Sequence, residues 1–157
     1  MNLQKHFDAV IFDLDGVITK TALVHSAAWK LMFDTFLKSH AEKQGTDFVP
    51  FDHKGDYLPF VDGKPRYKGV ADFLASRTIE LPFGSPDDAP DAQTVCGLGN
   101  RKNQAFNAVL EADGVEVYPS TVSLMKELRE KGYRVGVASS SKNCEGVLRA
   151  AGLLDLI

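Results

Sequence analysis

The chain has 157 residues, the size of one ordinary domain or of a small core carrying an insertion. With 44% apolar and 25% charged residues it reads as soluble and globular, and a net charge of −3 without a basic stripe argues against nucleic acid as a partner. No apolar run approaches the ~18 residues that span a bilayer, the N-terminus shows no signal peptide, and Cys96 and Cys144 form no CxxC pair, so a cytoplasmic protein without membrane, disulfide framework or zinc site is expected.

The first element is the most informative. Ala9 to Phe12 is a short apolar run that predicts a strand buried on both faces, and it ends in Asp13-Leu14-Asp15-Gly16. Residues i and i+2 of a strand point the same way, with Cα atoms roughly 6.5 Å apart, so Asp13 and Asp15 are expected to face one spot beyond the strand's carboxyl end. Ligands of open α/β sheets sit there. Gly16 lets the chain bend sharply away. A calcium loop would need a glutamate at its twelfth position, and counting from Asp13 that position is Val24. An ordinary acidic turn remains as the competing reading.

From Thr21 to about Lys43, Ala22, Leu23, Ala27, Trp29, Leu31, Met32, Phe33, Phe36 and Leu37 recur mostly at helical spacing and predict a long amphipathic helix. Trp29 and Phe33 read as core. His25 fits two readings, a partly buried helix histidine or a polar group near the entrance to the Asp13 pocket. Gly45 to Lys68 reads as loop, but its five aromatic residues need cover. A second helix is expected over Gly69–Thr78, inward at Val70, Phe73 and Leu74. The loop Pro82–Pro90 follows; Asp87, Asp88 and Asp91 suit a solvated helix-capping loop better than a cation site. A third helix is expected to open at Asn100 or Arg101 and to end near Gly114, with Phe106, Val109 and Leu110 inward. Gly97-Leu98-Gly99 lacks a preceding strand and a third glycine, which removes it as a dinucleotide motif.

An α/β pattern then returns. Pro119 suits a first helical turn, Leu124, Met125 and Leu128 give an inward face, and Gly132 suits the stop. Tyr133 to Ala138 predicts a second short buried strand. It runs into Ser139-Ser140-Ser141-Lys142-Asn143 and a helix to about Ala151, which together suit an anion site. One N-cap needs fewer polar residues than this.

Two strands ending in reactive or anion-binding residues, separated by roughly a hundred mainly helical residues, resemble the haloacid dehalogenase-like (HAD) superfamily. The resemblance is specific at Asp13-Leu14-Asp15-Gly16-Val17 and at Ser139. Thr19-Lys20-Thr21, His25, Ala28-Trp29-Lys30, Lys68-Gly69-Val70, Asn100-Arg101-Lys102-Asn103, Val117-Tyr118-Pro119 and Ala138 to Asn143 make it similar to the β-phosphoglucomutase group. The implied fold is α/β: a Rossmann-like core with a parallel sheet, partial here, formed by residues 1–18 and 117–157, and an inserted α-helical cap formed by 19–116.

The resemblance implies Mg2+-dependent phosphoryl transfer on a sugar phosphate, with glucose 1,6-bisphosphate as a candidate substrate. Asp13 would be nucleophile and metal ligand. Asp15 would be acid/base through its side chain and a metal ligand through its backbone carbonyl. Ser139 would bind the transferring phosphoryl group, and Ser140, Ser141, Lys142 and Asn143 belong to the same phosphate-binding stretch. Thr21, His25 and Lys102 would lie on the hinge and cap side. A mutase and a phosphatase share this first half-reaction; the Ser141-Lys142-Asn143 cluster and Lys102 favour the mutase. The resemblance also implies a later lysine and a later acidic pair, which are not assignable before Ile157. Negligible turnover by these 157 residues alone is therefore expected. The rival reading is a truncated fragment that binds phosphate or self-associates through exposed strand edges.

Overall fold

The structure is a computed structural model that describes residues 7–157. The reading of the extreme N-terminus as free of a signal peptide extends to residues 1–6, outside the described residues. The chain divides into two compact units. One runs up to Ala22 and resumes over Ala112–Ile157; the other is Leu23–Glu111. The domain limits expected from sequence fall at residues 18/19 and 116/117. Here residues 19–22 and 112–116 group with the sheet unit: Thr19 bridges antiparallel to Val117, and the Lys20 N–H donates to the Glu116 carbonyl at 2.9 Å.

In the sheet unit, β1 (Ala9–Asp13) and β2 (Arg134–Ala138) pair in parallel, with Ala9 opposite Arg134 and Asp13 opposite Ala138. The expectation that β1 is buried on both faces does not hold. Ala9, Ile11 and Asp13 share an open face, where Ile11 is 71% exposed, because the sheet of the described residues has two strands. The chain then tightens around Leu14, which is fully buried and whose carbonyl accepts from the N–H groups of Ile18 at 2.9 Å and Thr19 at 3.0 Å. Gly16 turns this corner at φ +80°, a value that a side chain would resist.

The other helices of this unit lie where the periodicity puts them. α5 (Pro119–Glu130) packs on β2 and starts on proline. It ends when the N–H of Gly132 turns back to the Arg129 carbonyl and that of Tyr133 to the Leu128 carbonyl, with Gly132 at φ +84°. Met125 and Leu128 are buried as expected, whereas Leu124 faces outward on the flank of the apolar stripe. α6 (Cys144–Ala150) buries Val147 and Leu148.

The helical unit holds the aromatic core. α1 (Ala22–Gln44) buries Trp29, Met32, Phe33, Phe36 and Leu37, but leaves Leu23 and Leu31 exposed. Phe33 lies at its centre, 4.2 Å from the Phe73 ring and 4.9 Å from Phe51 by centroid. The stretch expected as loop contains a π-helical turn (His53–Tyr57) and one α-turn, α2 (Leu58–Phe60). Phe51 and Tyr57 find their cover in the core, while Phe48 stays partly exposed. This stretch is pinned down: Lys30 donates to the Phe51 carbonyl, Asp34 accepts from the Phe51 N–H, and Arg77 pairs with Asp56 at 2.7 Å.

α3 (Arg66–Ser76) starts three residues before the expected Gly69, and α4 (Val95–Asp113) five or six before the expected Asn100 or Arg101. Thr94 starts α4 by accepting the Gly97 N–H at 2.9 Å. The two glycines expected outside the helix are therefore inside it. A Cβ on Gly97 would stand 2.3 Å from the Ala92 carbonyl oxygen, and one on Gly99 2.7 Å from the Tyr67 ring. Phe106 is buried as expected, but Val109 is exposed and Leu110 half-exposed, since the inward face of α4 turns away beyond Phe106. Among the described residues no helix is long and apolar enough to cross a membrane.

Candidate active site

Asp13 ends β1 and Ala138 ends β2 directly beside it, so Ser139 begins the loop that leaves the sheet next to Asp13. The Leu14 N–H donates to Asp13 Oδ1 at 2.8 Å, which fixes one carboxylate oxygen and leaves Oδ2 as the second acceptor. Asp15 lies in the tight turn, bridged in parallel to Thr19, and the Thr21 hydroxyl donates to its Oδ1. Thr21 belongs to the sheet unit, where its hydroxyl serves a carboxylate.

The loop after β2 is wound by its own serines. The Ser141 N–H donates to Ser139 Oγ at 3.0 Å, and the Asn143 N–H to Ser141 Oγ at 3.2 Å. A serine oxygen that accepts a backbone N–H keeps its own proton to donate, which suits an anion. Ser140 and Lys142 are exposed, and Ser139, Ser141 and Asn143 half-buried. Cys144, the first residue of α6, follows this loop. Burial pushes the Cys144 thiol up from its ordinary pKa, and the negative charges of Asp15 and then Asp13 push it the same way. Asp13, Asp15, Ser139 and Cys144 thus occupy one end of the sheet unit.

His25 and Lys102 meet within the helical unit. Lys102 is only 4% exposed; its ammonium lies 5.0 Å from the ring centroids of both Trp29 and Phe106 and 2.8 Å from His25 Nδ1. An ammonium can only donate, so Nδ1 accepts and the imidazole is neutral, with its proton on Nε2. The ring stacks on Phe106 at 4.1 Å. Of the two sequence readings of His25, burial in the helix is what the structure shows, and the buried ring also partners a cation. Two contributions escaped the sequence reading. Trp29 and Phe106, taken as plain core, offer their faces to a charge, and Thr19 carries a hydroxyl 2.7 Å from that of Thr21. The signal for Thr19 was its place two residues before Thr21, a second hydroxyl next to the predicted one.

Among the described residues no three His, Cys, Asp or Glu side chains cluster as metal ligands. Asp88 accepts from the Thr94 hydroxyl at 2.7 Å and from the Ser85 N–H at 3.1 Å, so its loop is held by hydrogen bonds. A groove on the helical unit, lined by His40, Asp47, Thr78 and Glu80 among others, contains none of the residues predicted to be functional.

A family model for haloacid dehalogenase-like hydrolases matches residues 7–157. The chain belongs to this family. The chain therefore has the HAD fold, a Rossmann-like core with an inserted helical cap. Among curated relatives, the beta-phosphoglucomutase of Mycobacterium bovis is 48% identical over 153 residues, which cover 98% of this HAD chain and 58% of that protein. The phosphoglycolate phosphatase of Rhodospirillum rubrum is 31% identical over 152 residues, covering 95% and 55%. The crystal structure of beta-phosphoglucomutase from Clostridium difficile matches with a TM-score of 0.70 at 25% identity, over 96% of this chain and 59% of that one. The HAD chain thus spans less than three-fifths of the length of these relatives.

Proposed function

We propose that the chain carries the nucleophile and the acid/base of a Mg2+-dependent phosphoryl transfer on a sugar phosphate, of the β-phosphoglucomutase type, converting β-glucose 1-phosphate to glucose 6-phosphate. The observation that supports this most directly is the strand register, Asp13 opposite Ala138, which sets a carboxylate beside a serine loop at adjacent strand ends. Likeness to the mycobacterial relative supports the mutase over other sugar-phosphate chemistry.

In the first half-reaction Asp13 attacks phosphorus, the bond from phosphorus to the sugar oxygen breaks, and Asp15 gives that oxygen a proton. Ser139 donates to the phosphoryl oxygens, and Ser141, Lys142 and Asn143 hold the second phosphate of glucose 1,6-bisphosphate. In the return step Asp15 takes the proton of the incoming hydroxyl, whose oxygen attacks the aspartyl-phosphate and frees Asp13. Two carboxyl residues fit Mg2+, which is commonly held by one or two carboxylates while water and phosphate oxygens complete its shell, so the absence of a three-residue cluster among the described residues is no obstacle. Asp13 and the Asp15 carbonyl would hold the ion, and its charge would offset the repulsion between carboxylate and phosphate dianion.

The phosphatase reading, with water as acceptor, is favoured by likeness to the R. rubrum enzyme. Products separate the two. The chain, alone and fused to the part of the M. bovis relative that the match leaves uncovered, is given β-glucose 1-phosphate, a trace of glucose 1,6-bisphosphate and Mg2+. Glucose 6-phosphate is expected; inorganic phosphate without glucose 6-phosphate would establish the phosphatase. Negligible turnover is expected from the 157 residues alone.

A further inference from the structure

We propose that Thr19 is a positioning residue, whose hydroxyl sets the rotor of Thr21 so that Thr21 holds the Asp15 carboxylate in one orientation. The inference rests on the reading of Asp15 as acid/base and adds a residue to it.

The argument is a count of protons. Thr21 has one hydroxyl proton, and it is committed to Asp15 Oδ1. The 2.7 Å contact between the Thr19 and Thr21 hydroxyls then takes its proton from Thr19. Thr19 has one other acceptor within reach, the Leu14 carbonyl at 3.3 Å, and cannot serve both. The shorter contact wins, and the chain runs one way, from Thr19 to Thr21 to Asp15. With a lone pair occupied, the Thr21 rotor cannot swing its proton away from the carboxylate. Each bond also polarises the next.

A structural task for the hydroxyl is already filled by other groups. The Leu14 carbonyl accepts from the Ile18 and Thr19 N–H groups, so it needs no side-chain donor. The Thr19 backbone is fixed by its bridges to Asp15 and Val117. Thr19 is fully buried, where valine would fill the same volume without a hydroxyl to desolvate. Thr19, Thr21 and Asp15 all lie in the sheet unit, so the relay is internal to it.

The test compares Thr19→Val and Thr19→Ser with the parent chain. By NMR, Thr19→Val is expected to shift the Asp15 Cγ resonance and to speed exchange of the Thr21 hydroxyl proton by about tenfold or more, with Tm changed by a few degrees at most. Thr19→Ser is expected to restore both signals. Phosphoryl transfer is measured on the same substitutions carried in the fusion to the uncovered part of the M. bovis relative: for Thr19→Val, kcat is expected to fall about tenfold with KM nearly unchanged, a fraction of the 10²–10⁴ that acid/base groups supply, and Thr19→Ser to recover it. Unchanged Asp15 and Thr21 signals in Thr19→Val overturn the proposal, as does failure of serine to restore them. The NMR arm needs no turnover. An Asp15→Asn control separates the two ideas: if it leaves transfer intact, the acid/base reading fails, whereas if it abolishes transfer while Thr19→Val retains full kcat, only the relay fails.

Discussion

On the proposed reading Asp13 attacks a phosphate dianion against like charge, so it would depend on the donors beside it and on a bound cation. Asp13→Asn keeps the acceptor oxygen for the Leu14 N–H and would remove the proposed nucleophile. The variant is expected to fold as the parent does, by circular dichroism, and to take up no phosphoryl group from glucose 1,6-bisphosphate when its peptides are weighed by mass spectrometry. In the helical unit the corresponding single residue is Phe33, fully buried among Trp29, Phe51 and Phe73. Phe33→Ala should cost about 3–5 kcal/mol, read from denaturant melts, because the cavity is walled by rings that cannot collapse into it. At this scale the sequence was informative wherever chemistry and local spacing agree. The placing of Asp13 and Ser139 at neighbouring strand ends was legible because an apolar run shows where a strand stops, whereas Asp15 lies past the strand, in the turn. The setting of Lys102 was not, because it is built by Trp29 and His25, more than seventy residues away in the chain.

Elements were predicted best where several signals agree. β1, α5 and its Gly132 stop lie within a residue or two of expectation, since apolar period, proline and glycine all point the same way there. The start of α4 misled because glycine usually marks irregular backbone, while here it answers a close approach by the Ala92 carbonyl and the Tyr67 ring, which no local pattern reveals. Gly97→Ala is expected to destabilise the helical unit by about 1–3 kcal/mol, despite alanine's better helix propensity, because the Ala92 backbone must move; a melting temperature equal to or above the parent's would contradict this. The loop before α4 carries a pH dependence. The Thr94 hydroxyl and then the Ser85 N–H hold Asp88 below the usual carboxylate range. The folded loop therefore favours the ionised form, and its stabilisation is complete above the ordinary carboxylate pKa of about 3.9 and is lost as pH falls through the lower folded value. Hydrogen exchange at the Cys96 and Gly97 amides should quicken under acid, and Asp88→Asn should flatten that response.

The two units bury their surface very differently. The helical one closes a continuous aromatic core, whereas the sheet of the described residues leaves Ile11 largely bare. Amides of Met32–Leu37 and Phe73–Leu74 should accordingly exchange more slowly than those of Val10–Phe12; the reverse order would mean that the open strand is protected by something other than what is described. The sequence showed the insertion because two strand-and-loop motifs stand a hundred residues apart with helical periodicity between. It could not show how bare β1 is, since an apolar run looks the same whether or not neighbours cover it.

Where the chain leaves the sheet unit and where it returns, it is stitched: Thr19 bridges Val117, the Lys20 N–H bonds the Glu116 carbonyl, and their side chains pair at 3.1 Å. Exit and entry are thus held about one strand spacing apart, ~4.8 Å, by contacts that belong wholly to the sheet unit. Whatever is threaded through that buckle has its ends gathered in advance, and enlarging it adds little to the entropy of closing it. A cap attached in this way is free to grow, shrink or be exchanged while the carboxylates at Asp13 and Asp15 stay where they are.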